Sequence, residues 1–293
     1  MNIIETTGLT KYYGKSRGIS DLNLKVEQGD FFGFIGPNGA GKSTTVRTLL
    51  GMLGASSGSA RVFGLDIKSG HTEILSRVGY MPGEAAFYPG MRVGEVIRLS
   101  AKLRGMDCTE QALYLCERLQ LDTGKRIEAL SLGNRKKVAV VCALQHKPEL
   151  FILDEPTSGR DPIMQKEFFE ILRERNKEGA TVFLSSHILS EIQRYCRNAA
   201  IIRNGSIIAC DSVTALSKTA ARRVILHGVT EAPQLSGVAD LTVSADSVSF
   251  LYGGDMPALI SALAGLPIND MTVSEPDLEE VFMHFYSDGE AAK

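Results

Sequence analysis

The chain has 293 residues, 44% of them hydrophobic, and its 32 lysines and arginines against 34 aspartates and glutamates give a formal net charge of −2. A chain of this size can bury a core without disulfides, and its near-neutral balance excludes recruitment of nucleic acid by a strong overall field, so we expect no nucleic-acid partner. The five cysteines are widely spaced and form no CxxC pair, which argues against a disulfide framework or a zinc site and favours a reducing compartment. We find no secretory leader and no run near the roughly 20 apolar residues of a membrane span, so we expect a soluble chain whose partner can still be a membrane protein.

Short apolar runs alternate with longer segments of helical period, which predicts an α/β fold. The predicted strands are FFGFIG (31–36), LFILDE (150–155), TVFLSS (181–186) and AAIIRNG (199–205). The first three do not alternate between apolar and polar residues, which indicates strands buried on both faces of a sheet. Between Tyr88 and Lys147 the segments have helical period, which predicts a helical insertion in the sheet domain.

The segment GPNGAGKST follows the first predicted strand and opens a predicted helix, and it matches the phosphate-binding loop pattern G-x-x-x-x-G-K-[ST]. The glycines let successive backbone N–H groups converge on phosphate oxygens at a helix N-terminus. We expect Lys42 to reach the β- and γ-phosphates and Ser43 to ligate magnesium. The nucleotide contacts predicted from this loop are Gly36, Pro37, Asn38, Gly39, Ala40, Gly41, Lys42, Ser43 and Thr44. Gly54 is predicted to end the following helix with a left-handed cap.

Two adjacent acids, Asp154 and Glu155, end the predicted strand LFILDE, where ligands bind in open α/β sheets. Asp154 is predicted to hold magnesium, and Glu155 is predicted to be the general base that polarises the attacking water. Solvated acids at the start of a loop are the plain alternative. The phosphate-binding loop earlier in the chain favours the functional interpretation.

Two further polar residues follow strands of the same predicted sheet. Asp161 precedes Pro162, a pattern typical of a helix N-cap with proline at the first helical position. His187 follows TVFLSS; a packed or capping histidine is the plain reading, and its place at a strand end favours a contact to the γ-phosphate.

The pattern of predicted strands and helices changes after about Leu216. The segments RRVILHGV, LTVSA and VSFLYGG are predicted strands, and MPALISALAGL is a predicted helix. The apolar spacing in LEEVFMHFY predicts a last helix, with Asp277 and Glu280 at capping-box spacing. We therefore expect a compact α+β appendage.

LSLGNRKK, residues 130–137, precedes a predicted helix, and its three basic residues lie in the first turns, where the helix dipole favours acids. Two interpretations of these basic residues remain open: they form a solvated face of the helix, or they bind an anion that docks at its start.

The chain contains five motifs that resemble, in the same order, those of the nucleotide-binding subunit of ATP-binding cassette (ABC) transporters: GPNGAGKST, LSLGN, LFILDEP, SGRD and SSH. The resemblance covers residues 1–216. It implies a P-loop NTPase cassette with a mixed central sheet and a helical subdomain over about 88–147, followed by a small α+β domain over 217–293.

The resemblance also implies an ATPase that holds ATP and Mg²⁺ between two cassettes, as a homodimer or a cassette heterodimer. Tyr13 would stack on adenine, with Tyr12 as the neighbouring alternative. Ser131 and Gly133 would contact the γ-phosphate held by a second protomer. Asp161 would lie at the dimer seam, and His187 would help to align the water.

The segments EPTSGRDPIMQKEF and EPDLEEVFMHFY resemble the subgroup of cassettes that pair with separately encoded exporter permeases, which includes drug, peptide-antibiotic and polyketide efflux systems. This resemblance implies that the chain energises export through a transmembrane permease on another chain. Dimerisation on ATP and separation on hydrolysis would be the work cycle. The chain would be cytoplasmic and peripheral on the cytoplasmic face of the cell membrane.

The sequence departs from the family pattern at several positions. The loop that normally reads Y-x-P-Q has Gly83 in place of the glutamine and Glu84 next. Either Glu84 substitutes after a one-residue shift, or coupling relies on the backbone and water. Leu132 and Asn134 replace the second glycine and the glutamine of the LSGGQ motif, and Arg160 brings a charge toward the dimer seam.

Other classes of protein share the phosphate-binding loop. A ribosome-associated cassette protein resembles two cassettes fused in one chain. A DNA-repair cassette protein has a long coiled coil between the two halves of its site. A kinase that phosphorylates a small molecule requires neither LSLGN nor SSH. This chain has one phosphate loop and too short an interval for a coiled coil. A regulatory ABC ATPase that moves no solute is the remaining alternative.

Overall fold

The computed structural model describes residues 1–157, 162–217, 222–229 and 235–274. The chain divides into two compact units, Met1–Cys210 and Asp211–Lys293, where the sequence predicts a boundary after Leu216. No helix within these described ranges is long and apolar enough to cross a bilayer.

The structure alternates strands and helices along the chain. The strands are β1 (Asn2–Tyr13), β2 (Ser16–Glu27), β3 (Phe31–Ile35), β4 (Ser57–Val62), β5 (Leu65–Asp66), β6 (Val78–Met81), β7 (Leu150–Asp154), β8 (Thr181–Ser186), β9 (Asn198–Arg203), β10 (Ser206–Ser212), β11 (Arg222–His227), β12 (Val238–Val243), β13 (Ser247–Tyr252) and β14 (Asp270–Ser274). The helices are α1 (Lys42–Leu49), α2 (His71–Arg77), α3 (Val93–Leu103), α4 (Thr109–Arg118), α5 (Leu132–Leu144), α6 (Pro162–Lys177), α7 (Leu189–Tyr195), α8 (Val213–Ser217) and α9 (Met256–Leu263).

A six-stranded sheet in the order β10-β9-β3-β8-β7-β6 forms the centre of the fold. The pairs β9–β3, β3–β8, β8–β7 and β7–β6 are parallel. Every residue of β3, β7 and β8 is buried, as the unalternating apolar runs predict. Because parallel strands end at the same edge, the loops after β3, β7 and β8 meet there.

A second sheet, β2-β1-β4-β5, is antiparallel, and its strands are not among those predicted from the sequence. One hydrophobic core joins it to the central sheet: Ile4 and Leu22 pack in a cluster with Phe34 of β3 and with Val46 and Leu49 of α1. The hairpin between β1 and β2 ends at the pair Tyr13–Ser16.

Helix α1 ends earlier than the sequence predicts. The prediction that Gly54 caps this helix is wrong: Gly51 holds the left-handed conformation, with φ 68°. The Gly51 N–H donates to the Thr48 carbonyl at 3.0 Å and the Met52 N–H donates to the Arg47 carbonyl at 2.9 Å, a Schellman motif. The chain has a glycine at both positions, and only the closure of these bonds selects the first.

Between residues 88 and 147 the chain forms α3, α4, α5 and a single 3₁₀ turn, Ile127–Ala129. This agrees with the helical insertion predicted from the sequence. Helix α5 packs on α3 and on β6, so the insertion is attached to the edge strand of the central sheet.

The second unit contains an antiparallel sheet in the order β12-β13-β11-β14. Its core joins Val224 and Phe250 of the sheet to Leu259 and Leu263 of α9. The three predicted strands and the predicted helix correspond to β11, β12, β13 and α9. Strand β14 has every residue exposed and was not predicted as a strand. The predicted helix LEEVFMHFY lies outside the described residues.

Candidate functional site

The loop after β3 is a tight turn that only glycine permits at several positions. Gly39 and Gly41 have φ 81° and 108°. A Cβ added at Gly36 would lie 2.6 Å from the Ile202 carbonyl oxygen, and one added at Gly41 would lie 2.8 Å from the Gly18 carbonyl oxygen. The loop is therefore confined between β9 and the start of β2, and α1 begins directly at Lys42.

Lys42 is buried and its ammonium is surrounded by oxygen atoms. Its Nζ donates to the carbonyl oxygens of Gly36 at 2.6 Å and Pro37 at 3.0 Å, and it lies 3.1 Å from Oε1 of Glu155. The first turn of α1 contains no acid. Glu155 therefore supplies a negative charge to a place that is otherwise suited to a bound anion.

Glu155 directly follows β7 in a strained conformation, with φ 47°. Its N–H donates to the Ser185 carbonyl at 2.9 Å, and its Oε2 lies 3.2 Å from Nδ1 of His187. Partial burial raises the pKa of Glu155, but the hydrogen bond and charge of Lys42, together with His187, outweigh burial and lower the pKa below its ordinary value. Such strain at a strand end is typical of functional positions.

Asp154 is the last residue of β7 and is buried, and its Oδ1 accepts a hydrogen bond from the Ser185 hydroxyl at 3.0 Å. A Cβ added at Gly83 would lie 3.3 Å from the Asp154 carbonyl oxygen, so the Y-x-P-G loop passes close to this strand end. Carboxylate and hydroxyl oxygens are ligands that Mg²⁺ accepts, and Asp154 with Ser43 offers both. The described residues contain no cluster of three or more His, Cys, Asp or Glu that could hold a metal.

A cavity of about 260 Å³ joins most of the predicted nucleotide contacts. Its lining includes Tyr13, Asn38, Gly39, Gly41, Lys42, Ser43, Thr44 and Glu155. The Tyr13 hydroxyl lies 3.4 Å from Oγ1 of Thr44, whereas Tyr12 is not among the lining residues. Of the other loop residues, Gly36 and Ala40 are buried, and Pro37 contributes its carbonyl to Lys42.

Two lining residues, Arg17 and Gly18, were missed by the sequence analysis. They lie at the start of β2 and reach the cavity because the β1–β2 hairpin folds back beside Tyr13. The segment KYYGKSRG contains the signal, a glycine turn between two strands, but it has no phosphate-binding motif.

Ser131 and Gly133 lie elsewhere. Ser131 is the exposed N-cap of α5, and its Oγ accepts a hydrogen bond from the Asn134 N–H at 3.3 Å. Neither residue lines the cavity beside Lys42. Leu132, which replaces a glycine of the family pattern, is 60% exposed at the same helix start.

The remaining predicted residues separate into three groups. His187 is exposed and contacts the cavity through Glu155. Asp161 and Arg160 lie outside the described residues. Glu84 is exposed and does not line the cavity, so the described contacts give no support to its predicted compensating role.

Comparison with known proteins agrees with this geometry. Residues 19–158 match the family model described as ABC transporter. The bacitracin transport ATP-binding protein BcrA of Bacillus licheniformis is 34% identical over 301 residues, covering 98% of this chain and 98% of BcrA. The linearmycin resistance ATP-binding protein LnrL of Bacillus subtilis is 29% identical over 303 residues, covering 96% and 97% of the two chains.

A solved structure described as the ATP-binding subunit of an ABC transporter superposes with a TM-score of 0.70 at 28% identity, covering 73% of this chain and 91% of that one. The central sheet, the helical insertion and the phosphate-binding loop are therefore arranged as in an ABC cassette. The chain belongs to the ABC transporter family, as one of its ATP-binding and ATP-hydrolysing subunits.

Proposed function

We propose that this protein energises export through a membrane permease on another chain, and that it does so by binding ATP at the interface between two cassettes. The observation that carries the proposal is the separation of two exposed elements in one chain. The cavity beside Lys42 and the helix start at Ser131 are both open to solvent, and they do not share a lining. In a pair of identical or related cassettes, the helix start at Ser131 of each cassette can face the cavity beside Lys42 of the other.

Within one cassette, the proposed contacts follow the cavity from the hairpin to the strand ends. Tyr13 stacks on adenine, and the loop from Gly36 to Thr44 surrounds the phosphates, with Lys42 at the β- and γ-phosphates. Ser43 and Asp154 hold the magnesium ion. When bound, that ion neutralises negative charge on the phosphate oxygens.

Glu155 is the proposed general base, and its present contacts suggest how it is activated. Lys42 now pairs with Glu155 and holds its pKa below the ordinary value. Phosphate oxygens compete for the same ammonium, so nucleotide binding draws Lys42 away and raises the pKa of Glu155 toward that of a useful base. Glu155 then accepts a proton from the attacking water while His187, at 3.2 Å, keeps the carboxylate oriented.

The second cassette completes the site in this proposal. Ser131 and Gly133 contact the γ-phosphate bound by the opposite cassette, and Asp161 lies at the seam. Because these contacts require the γ-phosphate, ATP favours the closed pair and hydrolysis removes the bridge. The separation of the cassettes is then available to move a partner.

A mostly apolar groove of about 680 Å³ supports docking of the permease. It lies between α2, β6 and α3, and its lining includes the exposed side chains of Tyr88 and Leu103, which are 72% and 80% exposed. The segment from Gly83 to Met91 links this groove to the end of β7. An amphipathic helix on the cytoplasmic side of a permease fits such a groove, which would hold the cassette at the cytoplasmic face of the membrane.

The cargo class is proposed from the relatives. BcrA is named for bacitracin transport and LnrL for linearmycin resistance. We assign export of an antibiotic or a similar drug, whose recognition would reside in the permease.

Trapping the closed pair tests the two-cassette proposal. Glu155→Gln removes the base and keeps the shape of the side chain, so with ATP and magnesium this variant should have twice the monomer mass by light scattering. With ADP it should remain a monomer. A monomer at every ATP concentration, in a sample that still binds ATP, would contradict the proposed ATP-bound dimer.

A charge in the groove tests the permease proposal. Leu103→Asp should reduce the amount of membrane permease that copurifies with the chain, and it should leave the ATPase rate of the isolated chain unchanged. Leu113→Asp is the matched control, because Leu113 is 62% exposed on α4 and does not line the groove. Equal copurification of both variants would contradict docking in this groove, and recovery of the chain only with ribosomes would count against export.

A further inference from the structure

The nucleotide cavity has a second cation besides Lys42. Arg17 lines it, at the second residue of β2, and the hairpin register pairs Arg17 with Tyr12 next to the pair Tyr13–Ser16. Arg17 is exposed to solvent. The cavity therefore has a guanidinium at its hairpin side and an ammonium at its loop side.

The two cations differ in what they bind. Lys42 contacts two carbonyl oxygens and Glu155. The Arg17 guanidinium makes no hydrogen bond or ion pair to any of the described residues. Glu155 is the one acid in the lining, and it is already paired with Lys42 and His187. The charge of Arg17 is therefore uncompensated within the cavity.

The backbone next to Arg17 is held against the phosphate-binding loop. A Cβ added at Gly18 would lie 2.8 Å from Cε2 of Tyr13 and 3.0 Å from Cγ2 of Thr44. The Gly18 carbonyl oxygen in turn lies against Gly41. Residue 17 is thus one residue from a contact with both the proposed adenine platform and the first turn of α1.

We propose that Arg17 is a nucleotide-binding residue whose guanidinium contacts the phosphate chain of the nucleotide, at the oxygens that ADP and ATP share. This proposal rests on the nucleotide site proposed above. A guanidinium is planar, is always charged and matches phosphate oxygens with paired N–H donors. Arg17 lines the cavity and directly precedes Gly18, which lies against both Tyr13 and Thr44 of α1, so we assign the guanidinium to the α- and β-phosphates.

The test measures ADP binding by isothermal titration calorimetry in the full chain, because ADP is not hydrolysed. Arg17→Ala should weaken ADP binding about 10-fold, the size expected for one charge-assisted hydrogen bond, and Arg17→Lys should recover part of that loss. Lys15→Ala is the matched control: Lys15 is an exposed cation in the same hairpin turn and does not line the cavity. It should bind ADP within about twofold of the wild type.

A second nucleotide distinguishes the phosphates from the base. By competition, Arg17→Ala should lose the same factor for GDP as for ADP, since the two share their phosphate chain. A loss confined to ADP would move the guanidinium to the base and overturn the assignment. Equal losses in Arg17→Ala and Lys15→Ala would reduce the effect to general charge attraction, which also overturns it.

Failure of this inference differs from failure of the nucleotide site itself. If Arg17→Ala binds ADP like the wild type while Lys42→Ala does not bind, the site stands and the role of Arg17 is wrong. If Lys42→Ala also binds normally, the nucleotide site is wrong.

Discussion

The nucleotide cavity and the start of α5 differ in the contacts that their side chains make. In the cavity, Lys42, Glu155 and His187 satisfy one another over distances of 3.1 and 3.2 Å. At the start of α5, Ser131 caps its own helix, and its neighbour Leu132 is largely exposed. In the cavity these three side chains are paired with one another, whereas the start of α5 is exposed to solvent.

This difference indicates where control of the reaction resides. The cavity has the groups for binding and for the general base, but Glu155 is held by Lys42 and its pKa is lowered. In the proposed function, the start of α5 adds contacts to a phosphate that is held by the opposite cassette. A chain built in this way is expected to bind nucleotide alone and to hydrolyse it efficiently only when two such regions meet.

The largest effect should come from the base. Glu155→Gln should retain ATP binding and reduce turnover by roughly 10²–10⁴, the range for a lost general base. The measurement is steady-state phosphate release together with an ATP-binding titration. Glu149→Gln is a suitable control, because Glu149 is an exposed acid paired with Arg77, away from the cavity. Unchanged hydrolysis by Glu155→Gln would exclude its role as base.

The next prediction separates the two regions directly. Ser131→Asp keeps a good N-cap for α5 and places a negative charge where the γ-phosphate of the opposite cassette would lie. Turnover should fall roughly 10²-fold, the scale of one lost stabilising donor, while ADP binding to the monomer stays unchanged. If Ser131→Asp weakens ADP binding by its own monomer, the two regions are not independent.

The cavity is the region that local sequence pattern predicts best. The residues from Gly36 to Thr44 are contiguous, and Asp154 and Glu155 end an apolar run, so local pattern and parallel-strand geometry suffice to bring them together. Arg17 was missed because its place depends on the fold-back of a hairpin. The register shifts in β1 also break the alternation that would have predicted that strand. Gly51 was missed because two nearby glycines compete for one cap.

The buried end of α5 offers a test of how this helix is anchored to the sheet. Nε2 of His146 lies 3.2 Å from the Val78 carbonyl oxygen of β6, and burial, with the charge of Arg104, lowers the pKa of His146 to about 4. Because the unfolded-state pKa is near 6.5, the unfolded chain binds this proton more tightly. Stability is therefore lost as the pH falls from about 6.5 towards 4.

We expect His146→Gln to remove about 2 kcal/mol of the difference in unfolding free energy between pH 6.5 and 4.5. Urea unfolding at the two pH values provides the measurement. His71→Gln, at an exposed histidine, should keep the wild-type difference. A pH dependence that is the same in wild type and His146→Gln would show that this histidine does not titrate with folding.

The smallest predicted effect concerns the end of α1, the helix that carries Lys42. Gly51 has φ 68°, and a Cβ there would lie 2.7 Å from Cδ2 of His71, so Gly51→Ala should lower the unfolding free energy by roughly 1–2 kcal/mol. Gly54→Ala is the matched control, since an added Cβ meets nothing within 4 Å, and it should change stability by less than about 0.5 kcal/mol. Equal losses of stability in the two variants, measured by urea unfolding, would mean that the Schellman motif does not fix the helix end.

Because the cap lies at the end of α1 away from Lys42, ADP affinity should be unchanged in Gly51→Ala. A loss of ADP affinity would show that the cavity depends on the far end of its helix, and so is less self-contained than the contacts around Lys42 indicate.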